Sequence, residues 1–363
     1  MATVSRHSAT SPAGPSVTQR IDAHGRAVDE TRLPSGELML AMYRQMLLGR
    51  RFDEQATNLA RQGRLAVYAS SRGQEACQVG AALALREQDW LFPTYRDSMA
   101  IFARGVDPVE VLSYTRGFWH TGYDPYATRV APQCSPLATH TPHAVGLAHA
   151  ARLKGDALAV LVLLGDGATS EGDSHEAFNF AGVLQAPVVF FIQNNGYAIS
   201  VPVSRQTHSK SLAQRALGYG IHGETVDGND VTAVHEVLTA AVGAARQGEG
   251  PSVIEAITYR IEPHTNTDDS SRYRSTEEVE SWRRLDPLER LETYLRGARL
   301  LGDGPQAELK AEVEAMAADL RERMQHEPSV DAAELFTNVF ATPTRPLLRQ
   351  RALLLDELAR PST

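Results

Sequence analysis

Only two cysteines, Cys77 and Cys134, occur in 363 residues, and neither sits in a CxxC or Cys/His spacing. That excludes a disulfide framework or a zinc ribbon and leaves two reduced thiols as the expectation. No apolar run approaches the roughly 18 residues that cross a bilayer, and the first residues lack the apolar core of a secretory signal. A basic excess is also missing. The 36 lysines and arginines against 44 aspartates and glutamates leave a formal charge of −8, which offers no electrostatic footprint for nucleic acid or an anionic membrane. A soluble, cytoplasmic protein is expected. Two phosphate motifs are incomplete: Ser170 stands where a dinucleotide fingerprint would end on glycine, and no Gly-Lys-Ser/Thr completes a nucleotide-triphosphate loop.

What is present is a globular composition, 42% hydrophobic, with clear helical and strand patterning. Residues 1–32 are rich in Ser, Thr, Ala and Pro and read as a disordered arm. Their basic, Ser-rich start leaves an organelle transit peptide, and with it the mitochondrial matrix, as the alternative. Apolar residues at helical spacing (Leu38, Met42, Met46, Phe52, Leu59) predict a long helix over 35–61, closed near Gly63. A second helix, over 74–85, carries Ala76, Gly80, Ala81, Ala82 and Ala84 and so little bulk that close packing on another element is expected. Asp107-Pro108-Val109-Glu110 and Thr141-Pro142 mark two further helix starts.

Residues 158–164 and 188–193 are continuous aliphatic runs of strand length around a helix over 174–184. Such a βαβ unit belongs to an α/β fold with a parallel sheet flanked by helices on both faces. A helix over 231–246 and a strand over 253–258 continue it. The polar stretch 260–275 reads as a long loop without a core to join. Capping boxes at Ser275/Glu278 and Asp286/Glu289, then a stripe of Leu309, Val313, Met316, Leu320 and Met324, make 276–340 helical, and 341–363 reads as a tail.

The chemistry concentrates at two strand ends. The first run delivers Gly165-Asp166-Gly167 to its carboxyl tip, and the second delivers Asn194-Asn195-Gly196-Tyr197 to its own. Ligands of open parallel sheets collect at those tips. Mg²⁺ takes oxygen ligands in an octahedron, usually a few protein groups together with phosphates. The Asp166 carboxylate, the Asn195 amide oxygen and a backbone carbonyl near Tyr197 suit it. The glycines let the backbone approach a phosphate. Singly, Gly-Asp-Gly is an ordinary turn and Asn-Asn-Gly an ordinary loop; placed together, they read as a Mg-diphosphate pocket. His140 and His143, at metal-like spacing, lack further ligands and read as structural.

Gly165-Asp166-Gly167 followed by Asn194-Asn195 resembles the diphosphate signature of thiamine-dependent enzymes. With Gly73-Gln74-Glu75-Ala76, Tyr95-Arg96, Ser135-Pro136-Leu137-Ala138-Thr139, Asn195-Gly196-Tyr197-Ala198-Ile199-Ser200, Val226-Asp227-Gly228-Asn229-Asp230 and the stretch from His264 through Asp268-Asp269 to Tyr273-Arg274-Ser275, residues 33–340 resemble the alpha subunits of 2-oxo acid dehydrogenase complexes. The resemblance implies the thiamine diphosphate-binding fold with helical N- and C-terminal additions. It implies Tyr95, Arg96, Ser135, Leu137, Gly165, Gly167, Ala168, Arg260 and His264 around thiamine diphosphate, and Asp166, Asn195 and Tyr197 on Mg²⁺. His264 is the implied catalytic residue, in acid/base and lipoyl-facing chemistry, with Asp268, Tyr273 and Arg274 in its active-site loop. A potassium site is implied on the carbonyls of Cys134 and Pro136 and the Thr139 hydroxyl. His140 stands where those relatives often have Gln, and Gln193 where many place an Arg beside the diphosphate.

The implied activity is oxidative decarboxylation of a 2-oxo acid with reductive acylation of a lipoyl group on a partner acyltransferase. In this family a separate beta chain supplies the carboxylate that activates the aminopyrimidine, so a heterotetramer of two alpha and two beta chains is the implied unit. Segments 135–146 and 194–203 are most similar to branched-chain members, and Ala69 falls where pyruvate-type relatives tend to carry His. The implied substrates are 3-methyl-2-oxobutanoate and its homologues, as in branched-chain amino acid catabolism. Pyruvate or acetoin dehydrogenase is the alternative within the family, and a non-catalytic assembly subunit the alternative outside it.

Overall fold

Aliphatic runs with no polar alternation form strands only where both faces are covered, and the sheet of this protein is built that way. A computed structural model describes residues 17–117, 122–326 and 331–360. Its strands are β1 (Val17–Thr18), β2 (Trp90–Phe92), β3 (Val160–Gly165), β4 (Val188–Asn194), β5 (Tyr197–Ala198), β6 (Val201–Pro202), β7 (His222–Asp227) and β8 (Ser252–Ile257). Six of them form one parallel sheet in the order β1-β7-β8-β4-β3-β2, while β5 and β6 make a small antiparallel hairpin just beyond β4.

The helices are α1 (Gly36–Arg61), α2 (Glu75–Ala84), α3 (Ser98–Ala103), α4 (Pro108–Ser113), α5 (Pro125–Thr128), α6 (His140–Lys154), α7 (Gly172–Leu184), α8 (Val231–Arg246), α9 (Thr276–Arg283), α10 (Pro287–Gly297), α11 (Asp303–Arg323) and α12 (Arg345–Ala359). Val145 and Ala148 of α6 and Ala177 and Phe178 of α7 share one core with Val162, Leu164, Phe190 and Ile192 of the sheet. A second core joins Met39, Met42, Tyr43 and Met46 of α1 to Val79 of α2 and to Leu288, Leu291 and Leu295 of α10.

The lack of bulk in α2 has its expected consequence. A Cβ added to Gly80 would stand 2.7 Å from Cγ1 of Val234, so α2 and α8 meet at van der Waals distance. At the start of α2, the fully buried Glu75 pairs with Arg50 of α1 at 2.7 Å, and Arg50 also pairs with Asp286, the N-cap of α10, at 2.8 Å. These three charges fix the entry of α2 against two other helices.

Several expectations need correction. Residues 17–32 are not part of a disordered arm: β1 extends the sheet beside β7, and Ile21 is buried. The Asp230 carboxylate accepts the backbone N–H of Arg20 at 2.6 Å and of Ile21 at 2.7 Å, and the Arg20 guanidinium pairs with Glu236. Partners about 200 positions away in sequence order the segment, which local composition cannot register. Residues 1–16, and with them the transit-peptide alternative, lie outside the described residues. Helix α6 begins at His140, and the Thr141 hydroxyl donates to the Ala138 carbonyl at 2.7 Å, away from the first-turn N–H groups. Ser275 caps α9, but the Glu278 carboxylate does not close the box. It accepts the hydroxyls of Tyr197 and Tyr259 instead, at 3.0 and 3.1 Å.

The chain divides into two compact units, residues 1–321 and 322–363. The second contains α12 where a plain tail was expected: Thr344 accepts the N–H of Leu347, a proline stands in the first turn, and leucine-rich helix formers follow. Among the described residues no helix is long and apolar enough to cross a membrane.

Candidate active site

Strands β3 and β4 are neighbours in register, with Gly165 opposite Gln193. Adjacent strands lie about 4.8 Å apart, so the residues just past their tips, Asp166 and Asn195, emerge side by side. Both line one cavity, with Gly165, Gly167 and Ala168 from the turn after β3 and Tyr197 from β5. Tyr95, Arg96 and Leu137 close it from the segments around β2 and α6, and Arg260 and His264 from the loop after β8. A Cβ on Gly165 would meet no atom within 4 Å, so that glycine leaves open room at the mouth of the turn.

Asp166 is 1% exposed. Its Oδ2 accepts Nε2 of Gln206 at 2.7 Å, while Oδ1 is buried without a hydrogen-bond partner among the described residues. Burial pushes its carboxyl above the ordinary range, and the Gln206 bond, the backbone amides of Asp166 and Asn195 and the Arg260 charge pull it back. Asn195 donates its amide to Oε1 of Gln74 at 3.1 Å, and its Oδ1 has the backbone N–H of Tyr197 at 3.3 Å. Two hard oxygens therefore line one cavity, and Oδ1 of Asp166 has no hydrogen bond of good geometry among the described residues.

The cationic side of the cavity mirrors this. Arg96 donates to the carbonyls of Ser70 and His264 at 2.8 and 2.9 Å. Arg260 donates to the carbonyl of Ile199 at 2.7 Å and the hydroxyl of Tyr273 at 2.9 Å. Its Nε is buried and unpartnered among the described residues, and burial next to Arg96 lowers its guanidinium to about 10. A buried polar atom without a partner costs about 1–3 kcal/mol. An acceptor and a donor in that condition in one cavity are complementary to a cation and an anion.

Two guanidinium groups converge on the His264 ring: Nη2 of Arg96 at 3.0 Å and Nη1 of Arg260 at 3.2 Å, both at Nδ1. Guanidinium cannot accept a hydrogen bond, so Nδ1 is the acceptor and the ring proton sits on Nε2. Burial first, then the charges of Arg96 and Arg260, hold the imidazole down to about 4. His264 is neutral at pH 7 and offers a donor.

The loop holding it is anchored by polar bonds, which corrects the expectation of a segment with nothing to join. Asp268 accepts the His264 N–H at 2.7 Å and the Tyr273 hydroxyl. Arg274, buried over the Tyr259 ring, donates to the carbonyls of Arg260 and Ile261. Asp268, Tyr273 and Arg274 thus stand behind His264 and do not line the cavity.

Ser135 is exposed and also outside the cavity lining. The groups expected to hold potassium have protein partners. The Cys134 carbonyl accepts the Tyr95 N–H at 3.1 Å, the Pro136 carbonyl accepts the Cys134 thiol at 3.1 Å, and the Thr139 hydroxyl lies 3.4 Å from Asp173. His140 is buried and donates from Nε2 to the Leu163 carbonyl at 2.7 Å, a structural use. Sequence reasoning assigned no part to Gln206 or Gln74, the residues bonded to the two candidate metal ligands. Gln206 lies 40 positions after Asp166 in an irregular segment, where no periodicity or motif points to it.

Residues 43–332 match the dehydrogenase E1 component family, which is most of the chain. The chain belongs to the dehydrogenase E1 component family. Within that family it is 47% identical to the 3-methyl-2-oxobutanoate dehydrogenase subunit alpha of Mycobacterium tuberculosis, over 89% of this chain and 88% of that one. It is 38% identical to the 2-oxoisovalerate dehydrogenase subunit alpha of Bacillus subtilis, over 83% and 94%. Identity to the pyruvate dehydrogenase E1 component subunit alpha of Acholeplasma laidlawii is 36%, over 91% and 96%. For an E1 alpha-type chain, membership implies thiamine diphosphate as cofactor and a beta chain as partner.

Proposed function

We propose that this E1 chain is the alpha subunit of a branched-chain 2-oxo acid dehydrogenase, active as two alpha and two beta chains. It would oxidatively decarboxylate 3-methyl-2-oxobutanoate and its homologues and acylate a lipoyl group on a partner acyltransferase. The observation that carries the site is the pairing of unsatisfied groups: Oδ1 of Asp166 calls for a cation and Nε of Arg260 for an anion in the same cavity. Magnesium bound to a diphosphate answers both. The substrate rests on the names of the relatives at 47% and 38% identity. Bacterial relatives favour the cytoplasm over the mitochondrial matrix.

Asp166, Asn195 and the Tyr197 carbonyl would hold Mg²⁺. Arg96, Arg260 and Tyr95 would hold the diphosphate, with Gly165, Gly167 and Ala168 at backbone distance, and Leu137 and Ser135 would meet the ring portion. Bound there, thiamine diphosphate supplies the electron sink that decarboxylation needs. His264, with Nδ1 facing the two guanidinium groups, would offer the proton on Nε2 to an oxygen that gains charge. Potassium at 134–139 would compete with the Tyr95 N–H and the Cys134 thiol for its carbonyls.

Co-expression with a beta-type chain, followed by thiamine-diphosphate-dependent decarboxylation assays, tests the reading. Branched-chain 2-oxo acids are expected to be preferred, and a clear preference for pyruvate would overturn the substrate assignment. Asp166→Ala should abolish Mg²⁺-dependent cofactor binding while the chain stays folded; undiminished binding would remove Asp166 from the metal site.

A further inference from the structure

Four buried side chains along the cavity wall form an unbranched hydrogen-bond chain. Asn195 Nδ2 donates to Oε1 of Gln74 at 3.1 Å, Gln74 Nε2 donates to Oε1 of Gln193 at 2.9 Å, and Gln193 Nε2 donates to Oδ1 of Asp97 at 2.6 Å. Oδ2 of Asp97 accepts the N–H and hydroxyl of Thr94 at 2.7 and 2.6 Å. That hydroxyl oxygen in turn accepts the Arg96 N–H at 3.2 Å. None of the four side chains belongs to a residue more than 6% exposed.

An amide side chain can turn over and exchange its donor and acceptor ends with almost no change of shape. Three amides in series therefore have two self-consistent arrangements of opposite direction. Asp97 at one end, with the Tyr197 N–H on Asn195 Oδ1 at the other, breaks the tie. Three donors converge on its carboxylate, which accepts and does not donate when ionised. Only the arrangement with every amide donor pointing toward Asp97 avoids setting one lone pair against another. At the far end, that direction leaves the oxygen of Asn195 toward the cavity. The reverse direction would present an NH₂ group to a cation.

We infer that Asp97, Gln193 and Gln74 are positioning residues: a one-way relay that presents the amide oxygen of Asn195, rather than its nitrogen, to the divalent ion. The inference rests on the magnesium and thiamine diphosphate reading above. It gives Gln193 a part to play, as the middle link of the relay. Groups that orient metal ligands from behind typically change metal affinity about 10- to 100-fold when removed.

The test is a mutant cycle of Gln74→Leu with Asn195→Asp in the co-expressed alpha-beta assembly, reading the Mg²⁺ dependence of thiamine diphosphate binding by calorimetry. Gln74→Leu alone should raise the Mg²⁺ requirement about 10- to 100-fold, because only the Tyr197 N–H at 3.3 Å then holds the amide of Asn195. A carboxylate at 195 offers oxygen on either side. Adding Gln74→Leu to Asn195→Asp should therefore leave the Mg²⁺ requirement unchanged or lower it, since Oε1 of Gln74 would no longer face an oxygen. A purely structural role for Gln74 would weaken both backgrounds alike, and that result overturns the relay. Gln193→Leu removes no hydrogen bond made by Asn195 itself and serves if the first variant does not fold. It should raise the Mg²⁺ requirement in the Asn195 background only, and an unchanged requirement there counts against the relay. If the parent assembly binds the cofactor without any need for Mg²⁺, the metal reading itself fails and the relay falls with it. If the parent needs Mg²⁺ and both leucine variants match it, only the relay fails.

Discussion

Gln206 donates to Oδ2 of Asp166 across 2.7 Å, and this bond singles out the other carboxylate oxygen, buried and without a partner among the described residues, as the one left for an ion. Gln206→Leu removes the donor and lets the carboxylate rotate. The Mg²⁺ requirement for thiamine diphosphate binding should rise about 10- to 100-fold. The thermal midpoint of the unloaded chain should fall, because the buried Asp166 carboxylate loses the Gln206 donor and the Val201 carbonyl loses it too. Calorimetric titration against the parent checks this, and an unchanged requirement would show that Gln206 only packs the site.

His264 should titrate near pH 4 in the unloaded protein, well below its ordinary 6.5. The sign for stability follows from linkage: the folded state resists the proton, so this contribution is full above pH 6.5 and is lost as pH falls toward 4. An anion bound between Arg96 and Arg260 would offset their charges and move the imidazole upward. Selectively labelled histidine resonances followed through a pH titration, with and without Mg²⁺ and thiamine diphosphate, measure both effects. A His264 that titrates at 6.5 without cofactor would refute the two-guanidinium arrangement.

The Glu75 carboxylate is fully buried and depends on Arg50 for its charge partner. Arg50→Leu leaves that charge uncompensated, which costs about 3–5 kcal/mol. Urea unfolding should show the loss, and Arg50→Leu with Glu75→Gln should recover much of it. A loss under about 1 kcal/mol would mean that the pair behaves as an exposed one.

Gly80→Ala separates propensity from packing. In an open helix the change stabilises by up to about 1 kcal/mol. Here the new methyl would stand 2.7 Å from Val234, so a net destabilisation of about 1–3 kcal/mol is expected. Denaturant titration gives the sign directly, and a gain in stability would mean that α2 and α8 can part without cost.

Elements of regular period were legible in the sequence because their signals are local. The helix over 35–61, the helix over 231–246 and the two aliphatic strands appear within a few residues of their expected bounds. So do the proline-marked helix starts at Pro108 and Pro287. The ordered segment 17–32 was not legible, because its partners Asp230 and Glu236 lie far along the chain and its own composition is that of a coil. The loop 260–275 shows the same limit: Arg260 and Arg274 are buried through carbonyls and rings, and hydropathy reads such residues as solvated.

The sequence by itself determined the residue types that can hold a hard cation and an anion, their placement at two strand tips, and the resemblance to the family. Strand period and turn chemistry act over a few residues, so a single chain of letters carries them. Only the tertiary structure decided which oxygen of Asp166 is left free, which nitrogen of His264 carries the proton, and which way the amide of Asn195 points. Those choices depend on hydrogen-bond direction among groups 40 to 168 positions apart, brought together by the packing of helices and loops around the sheet.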